Sequence, residues 1–493
     1  MKPSVLIAVL LSLVCALPAF AQNNNSHNPT WWNKYQYLLN HPADSPAGAN
    51  SSLNAGSNVD VSNECGPQSE TFIAINPNNP KVLAAGSNEI FRDNMRGYFS
   101  SNNGGSWGAV DLPLPAPIGN GIRFGSDPSL AFDTRGNVFY GYIVVFFGNG
   151  NGVNGTEMAV AKSTDGGKTY PSATFFDFAG GSDHFNDKPI ITVDTNPASP
   201  FRDNVYIAWD TFGGSTSGGV RVATSSDHGA TFTDVRIDAP SGQANSIGAS
   251  PFVGPDGTLY VAWNDFGANT IAFARSSDGG ATWQRPNIVS TKTAVFDVGI
   301  PAEVFRRALV YPSCDADRSS GPHRRRLYCS WMDLTPAGTT DIFLAFSDDK
   351  GNTWSHPAPV TDQLSFPVDR FNHWMAVDPV TGDVNVSFYD TRNDSTGSRF
   401  QTDTFFTQSI NGGQSFSSPN TRVSTASSNE HDCNGVFPCN AIDYGNQQGD
   451  YEGLASFGGV SHPIWTDSRQ QQTPATGCRR GLAMEEVFTA VVK

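Results

Sequence analysis

Ser276-Ser277-Asp278-Gly279-Gly280-Ala281-Thr282-Trp283 is one of six copies of a single eight-residue phrase in this 493-residue chain. The others start at Ser100 (SSNNGGSW), Ser163 (STDGGKTY), Ser225 (SSDHGATF), Ser347 (SDDKGNTW) and Ser409 (SINGGQSF). Successive copies begin 51 to 71 residues apart, and each follows a strand-like run such as RVAT, IAFAR or IFLAF. A recurrence at that period means one supersecondary unit repeated along the chain. The phrase also has a logic of its own. An acidic or amide side chain (Asp165, Asp227, Asp278, Asp349, Asn102, Asn411) caps the backbone N–H groups of a turn, glycine supplies the positive φ, and the terminal aromatic plugs the turn into the core. The two asparagines keep the capping oxygen and lose only the charge.

Composition agrees with a chain of strands and tight turns. Only 16% of residues are charged, glycine is abundant (49), and methionine is scarce (6). Helical amphipathic periodicity is nearly absent, so the chain reads as all-β.

A second element appears seven times: a hairpin with Gly, Pro, Asn or Asp at its turn and an apolar second strand. The copies are FIAINPNNPKVLAAGSN, SLAFDTRGNVFYGYI, IITVDTNPASPFRDNVYIAWD, PFVGPDGTLYVAWND, ALVYPSCD…RRRLYCSWMD, MAVDPVTGDVNVSFYD and LASFGGVSHPIWTD. Six continue into the repeated phrase. The seventh continues only to GLAMEEVFTAVVK and stops at Lys493. The pattern predicts a seven-bladed β-propeller of four-stranded blades over residues 57–493, the last blade lacking its outermost strand. An uncovered edge strand invites aggregation, and the stretch Ser57–Ser62 is the expected cover. A six-bladed ring with a C-terminal extension is the alternative.

Residues 1–21 (one cation, a short apolar run, then Ala19-Phe20-Ala21) read as a secretory signal peptide. The protein is therefore expected to be secreted or periplasmic, with no membrane span. Residues 22–56 read as a mostly irregular leader. Cys15 leaves with the signal, and six cysteines remain, an even number that argues for disulfides in an exported chain. Position suggests Cys433 with Cys439 and Cys314 with Cys329, which leaves Cys65 with Cys478. The net charge of −15 argues against nucleic acid and anionic membrane surfaces as partners. A monomer is expected.

The repeated phrase resembles the Asp box of the sialidase superfamily, S-x-D-x-G-x-(T/S)-(W/F/Y), and the resemblance covers nearly all of residues 66–493. It implies a secreted glycan-active hydrolase acting on a saccharide. In that superfamily a sialidase uses an arginine triad for the substrate carboxylate, a tyrosine nucleophile with a glutamate, and an aspartate acid/base. Its catalytic domain has six blades, so a count of seven departs from the pattern. The usual Phe/Tyr-Arg-Ile/Leu-Pro motif before the first Asp box is absent here; Arg123-Phe124-Gly125 is the nearest stretch.

Strand alternation places the six phrases on one face of the ring, so the variable connections on the other face are where chemistry is expected. The candidate catalytic residues there are Asp127, Asp187, Tyr451 and Glu452. Asp127, Asp187 and Asp450 enter inner strands at equivalent positions; clustered carboxyls raise one another's pKa and can supply a general acid, and they can also hold a structural calcium ion or cap strand ends. Neighbouring strand residues point to opposite sides, which separates Tyr451 from Glu452. Candidate substrate-binding residues are Arg123, Arg370, Arg392, Arg469, Asp390 and Asp467. The last four stand in two D-(T/S)-R motifs, which would either fork onto a substrate carboxylate or tie loops together within a blade. No cofactor is expected, and the histidines show no zinc spacing. The competing expectation is a non-catalytic propeller that binds a glycan or a protein through the same face.

Overall fold

The structure is a computed structural model. It describes residues 58–493, apart from 65, 91, 151, 181–184, 213–218, 239–244, 285, 304–305, 432–447 and 470–484. Six antiparallel sheets follow one another along the chain, at 68–111, 122–180, 185–236, 246–291, 312–359 and 370–422, each with its strands in sequence order. The seventh combines Gly453–Phe457, Val460–Asp467 and Glu486–Ala490 with the N-terminal strand Asn58–Asp60. We number these sheets blades I to VII.

The innermost strands close the ring. Gln68–Ile75 of blade I packs against Ile122–Phe132 of blade II, that strand against Phe185–Val193, and so on through Ser246–Val253, Pro312–Ala316 and Arg370–Val377 to Gly453–Phe457. Gly453–Phe457 then returns to Gln68–Ile75. Each blade is covered on both faces by its neighbours, which is why strands such as Val138–Phe147 are buried along their whole length. Trp209, Trp263, Trp331 and Trp465 occupy the second strands of blades III, IV, V and VII, all fully buried. Truncating one such indole to alanine removes about 3–5 kcal/mol.

The N-terminal strand completes blade VII, as the missing outer strand predicts. Asn58, Val59 and Asp60 pair with Ala490, Thr489 and Phe488, and Val61 N donates to Val487 O at 2.7 Å. Both ends of the chain thus close one blade, so the ring cannot open without breaking a sheet.

The six repeated turns behave as their residues dictate. Asp278 Oδ1 accepts from Ser276 Oγ (2.7 Å) and Thr282 N (2.9 Å), and its Oδ2 accepts from Thr282 Oγ1 (2.5 Å). Ser276 Oγ in turn accepts from Gly280 N at 2.9 Å, and Gly279 and Gly280 take φ of 74° and 92°. The Thr282 hydrogen bonds, with that from Ser276, hold the exposed Asp278 down to about 2. Asn102 repeats the geometry: its Oδ1 accepts from Ser100 Oγ at 2.9 Å and Ser106 N at 3.0 Å, while its Nδ2 donates to Ser106 Oγ at 2.9 Å. All six turns join third to fourth strands and share one face.

Cys314 and Cys329 are direct cross-strand partners in blade V and form a disulfide. Cys65, Cys433, Cys439 and Cys478 lie outside the described residues, as do the segments read as signal peptide and leader. Among the described residues no helix is long and apolar enough to cross a membrane. A small hairpin that the sequence reading did not anticipate, Asp297–Val298 with Ala308–Leu309, stands between blades IV and V. Its loop brings Arg306 over the ring centre.

Candidate functional site

Five innermost strands share a defect near their start. The ladder to the second strand skips two residues after Ser69, Ser126, Asp187, Ile247 and Phe371. The first skipped residue has positive φ in every case: Glu70 (53°), Asp127 (61°), Lys188 (47°), Gly248 (74°) and Asn372 (44°). Gly449 (81°) stands just before Asp450 in blade VII. Only glycine adopts this conformation without cost, and four of these positions carry a polar side chain instead. Strain kept at equivalent positions around a ring is a mark of function. Two bulges contain a proline, Pro128 or Pro189, which has no N–H to give a ladder.

The freed amides reach sideways to the preceding blade. Asp127 N donates to Asn88 Oδ1 (2.7 Å), Lys188 N to Asp127 Oδ2 (3.0 Å) and Gly248 N to Asp210 Oδ2 (2.6 Å). The bulges therefore gather Glu70, Asp127, Asp187, Lys188, Asp210, Asp450 and Tyr451 around the central channel, on the face opposite the repeated turns. The hairpin between blades IV and V adds Arg306 and Tyr311. Arg306 Nη2 lies 2.8 Å from Glu70 Oε1 and 3.3 Å from Asp450 Oδ2, and Tyr311 OH donates to Asp450 Oδ2 at 2.9 Å. The Lys188 ammonium sits 4.3 Å from the ring centroids of both Tyr311 and Tyr451 and 5.8 Å from that of Trp374. Beneath it Trp374 packs edge-on against Phe72 at 5.1 Å. A separate cavity of about 190 Å³ lies beyond Phe72 and Trp374, toward the other mouth, lined also by Thr192, Thr195 and Arg318.

The carboxyls of this cluster are pushed in opposite directions. Burial, with Asp127 beside it, raises Asp187 well above the usual carboxylate range. Burial, with Asp450 beside it, also raises Glu70, and burial brings Asp210 to about 7. Asp450 is buried too, but Arg306, a hydrogen bond from Glu70, Lys188 and the Tyr311 hydroxyl outweigh that burial and hold it below its ordinary value. Burial also lowers Lys188, against the pull of Asp450 and Asp210. One site thus holds carboxyls shifted in opposite directions, the kind of arrangement that can divide acid and base roles.

The sequence-derived candidates fall into three groups. Asp127, Asp187 and Tyr451 meet in the cluster, where Tyr451 OH donates to Pro128 O at 3.3 Å. Glu452 points away, as strand alternation requires, into a wholly buried place beside Ser387 and Tyr389. The arginines lie outside the cluster, each in ion pairs of its own. Arg123 pairs with Asp93 (3.1 Å). Arg370 pairs with Asp390 (2.8 Å) and Asp341 (3.2 Å). Arg392 spans Asp390 (2.7 Å) and Asp362 (2.8 Å) over the face of Phe405. Arg469 folds back on Asp467 (2.6 Å) over the face of Phe488. In both D-(T/S)-R motifs the aspartate also accepts the arginine's own amide, at 2.7 Å and 2.9 Å. The motif is a local turn clasp. Among the described residues no three His, Cys, Asp or Glu side chains converge to hold a metal ion.

Glu70, Lys188, Arg306 and Tyr311 were not among the sequence-derived candidates. Lys188-Pro189 carried a usable signal, a proline immediately before a strong strand. Arg306 and Tyr311 come from a connection whose path no local pattern reveals.

No family model matches the chain, and no curated protein does. Solved structures align with part of the chain at low identity. Hadza microbial sialidase Hz136 aligns at 16% identity and TM-score 0.45, over 65% of this chain and 63% of that one, less than two thirds of its length. The leech intramolecular trans-sialidase aligns at 14% identity and TM-score 0.45, over 72% and 68%. A protein of unknown function from Dyadobacter fermentans aligns at 15% identity and TM-score 0.46, over 68% and 93%. With seven four-stranded blades and its ring closed by the strand Asn58–Asp60, the chain is an all-β, seven-bladed propeller.

Proposed function

We propose that this protein is a secreted glycan-active hydrolase built on an Asp-box propeller, with its active site at the channel cluster on the face opposite the boxes. The observation that carries the reading is the convergence of Asp127, Asp187 and Asp450 with Arg306, Tyr311 and Lys188 at one place, where burial and Asp127 push Asp187 up while Arg306 and Lys188 hold Asp450 below its ordinary value. Glycoside cleavage needs an acid to protonate the leaving oxygen and a carboxylate facing the cationic transition state. Asp187 keeps part of its surface open and takes the first role. Asp450, oriented by the Tyr311 hydroxyl, takes the second.

A non-catalytic binding propeller is favoured by one observation, the ion pairing of every candidate arginine. The two readings separate in a turnover screen with a broad panel of aryl glycosides. The hydrolase reading predicts release of the aryl group from at least one substrate, and loss of at least about 100-fold in kcat for Asp187→Asn and Asp450→Asn. No release from any substrate by folded protein leaves the binding reading.

A further inference from the structure

We propose that the sugar accepted at the channel cluster carries no carboxylate: a neutral or amino sugar fits it and an acidic sugar does not. The inference rests on the location of the site proposed above and adds the charge class of its ligand. Five carboxyls gather at the centre, from Glu70, Asp127, Asp187, Asp210 and Asp450, three of them raised by burial, and among the described residues two cations face them, Lys188 and Arg306. Both cations are already committed. Arg306 bridges Glu70 and Asp450, and Lys188 is enclosed by the faces of Tyr311, Tyr451 and Trp374.

Recognition of a substrate carboxylate wants an uncommitted guanidinium fork. Among the described residues the arginines at the rim of this face, Arg123, Arg370, Arg392 and Arg469, are matched by aspartates, and the D-(T/S)-R turns hold two of them folded back onto the blade that bears them. A carboxylate brought into the cluster would be a further buried anion with no matching cation.

Sugar hydroxyls and ammonium groups are donors, and the cluster is rich in acceptors to receive them. Asn372 Oδ1 is one more, buried at 4% exposure and with no hydrogen-bond partner among the described residues. Asn372 Nδ2 holds the Gly449 carbonyl at 2.9 Å, next to Asp450.

The test is equilibrium binding to the full mature chain, read by intrinsic fluorescence and calorimetry. The probes are the methyl glycosides of a neutral hexose, an amino hexose, a hexuronic acid and sialic acid, with the matching aryl glycosides assayed for turnover. A neutral or amino sugar should bind at least about 100-fold tighter than either acidic sugar. Asp450→Asn, which releases Arg306 from one partner, should narrow that gap about 10-fold. Equal or tighter binding of the uronate or the sialoside overturns the inference, and so does the absence of binding by all four. The expected binding order without turnover would remove the hydrolase reading and leave this one standing.

Discussion

Arg469 Nη2 donates to Asn58 Oδ1 at 3.0 Å across 411 residues of chain, at the seam where the N-terminal strand joins the last blade. The same oxygen accepts from Thr425 N (2.7 Å) and Thr425 Oγ1 (2.8 Å), and Asn58 Nδ2 donates to Val423 O at 2.9 Å. One buried amide therefore links the first described strand, blade VI and blade VII.

The seam predicts a stability effect far from the channel. Asn58→Ala strips these four hydrogen bonds and leaves buried partners unmatched, a loss of about 3 kcal/mol in urea unfolding. Deleting residues 22–62 exposes the edge of Glu486–Ala490, so the truncated protein should lose more and aggregate. Wild-type stability in either variant would mean that the ring closes without its N-terminus.

The repeated turns predict a substitution hierarchy. Asp278→Ala should cost about 1 kcal/mol, as for loss of a helix N-cap. Asp278→Asn should cost only a few tenths, because Asn102 and Asn411 already make the same contacts in sister turns. Since the Asp278 pKa is depressed to about 2, its contribution is present above the unfolded value and is lost as pH falls through about 2. Paired urea curves at pH 7 distinguish the alanine from the asparagine variant; equal losses for the two would contradict the capping role.

Glu452 sets a pH dependence of the opposite sign. Its carboxyl is wholly buried, and burial raises it well above its ordinary value. A raised acid binds its proton more tightly in the folded state, so its stabilising effect is complete below the unfolded pKa and declines as pH rises toward the folded one. Glu452→Gln should flatten the fall in stability as pH rises above the unfolded carboxylate pKa and be the more stable protein on the alkaline side. An unchanged profile would place the ionised carboxylate in a solvated environment.

Local patterns carried the architecture. Six turn phrases and seven hairpins are short-range features whose backbone demands show in eight to twenty residues, and the missing seventh phrase pointed to the N-terminal cover found at Asn58–Asp60. The centre was only half legible. Asp127 and Asp187 stood out as acids just ahead of strands, but their meeting depends on bulges that only Pro128 and Pro189 foreshadow. Arg306 and Tyr311 reach the cluster through a tertiary path with no periodic signature. Arg392 and Arg469 show the converse: a visible motif whose aspartates, found by the arginines within their own turns, take up the charge.

The account turns on Asp187 being protonated while Asp450 is ionised, and the pH dependence of kcat/KM on the best aryl glycoside measures that directly. A bell is predicted for the wild type, its acid limb set by Asp450 and its alkaline limb by Asp187. Asp187→Asn should lose at least about 100-fold on a substrate with a poor leaving group, much less on an activated one, and its alkaline limb should vanish. An Asp187→Asn variant that keeps wild-type rate and an intact alkaline limb would contradict the account.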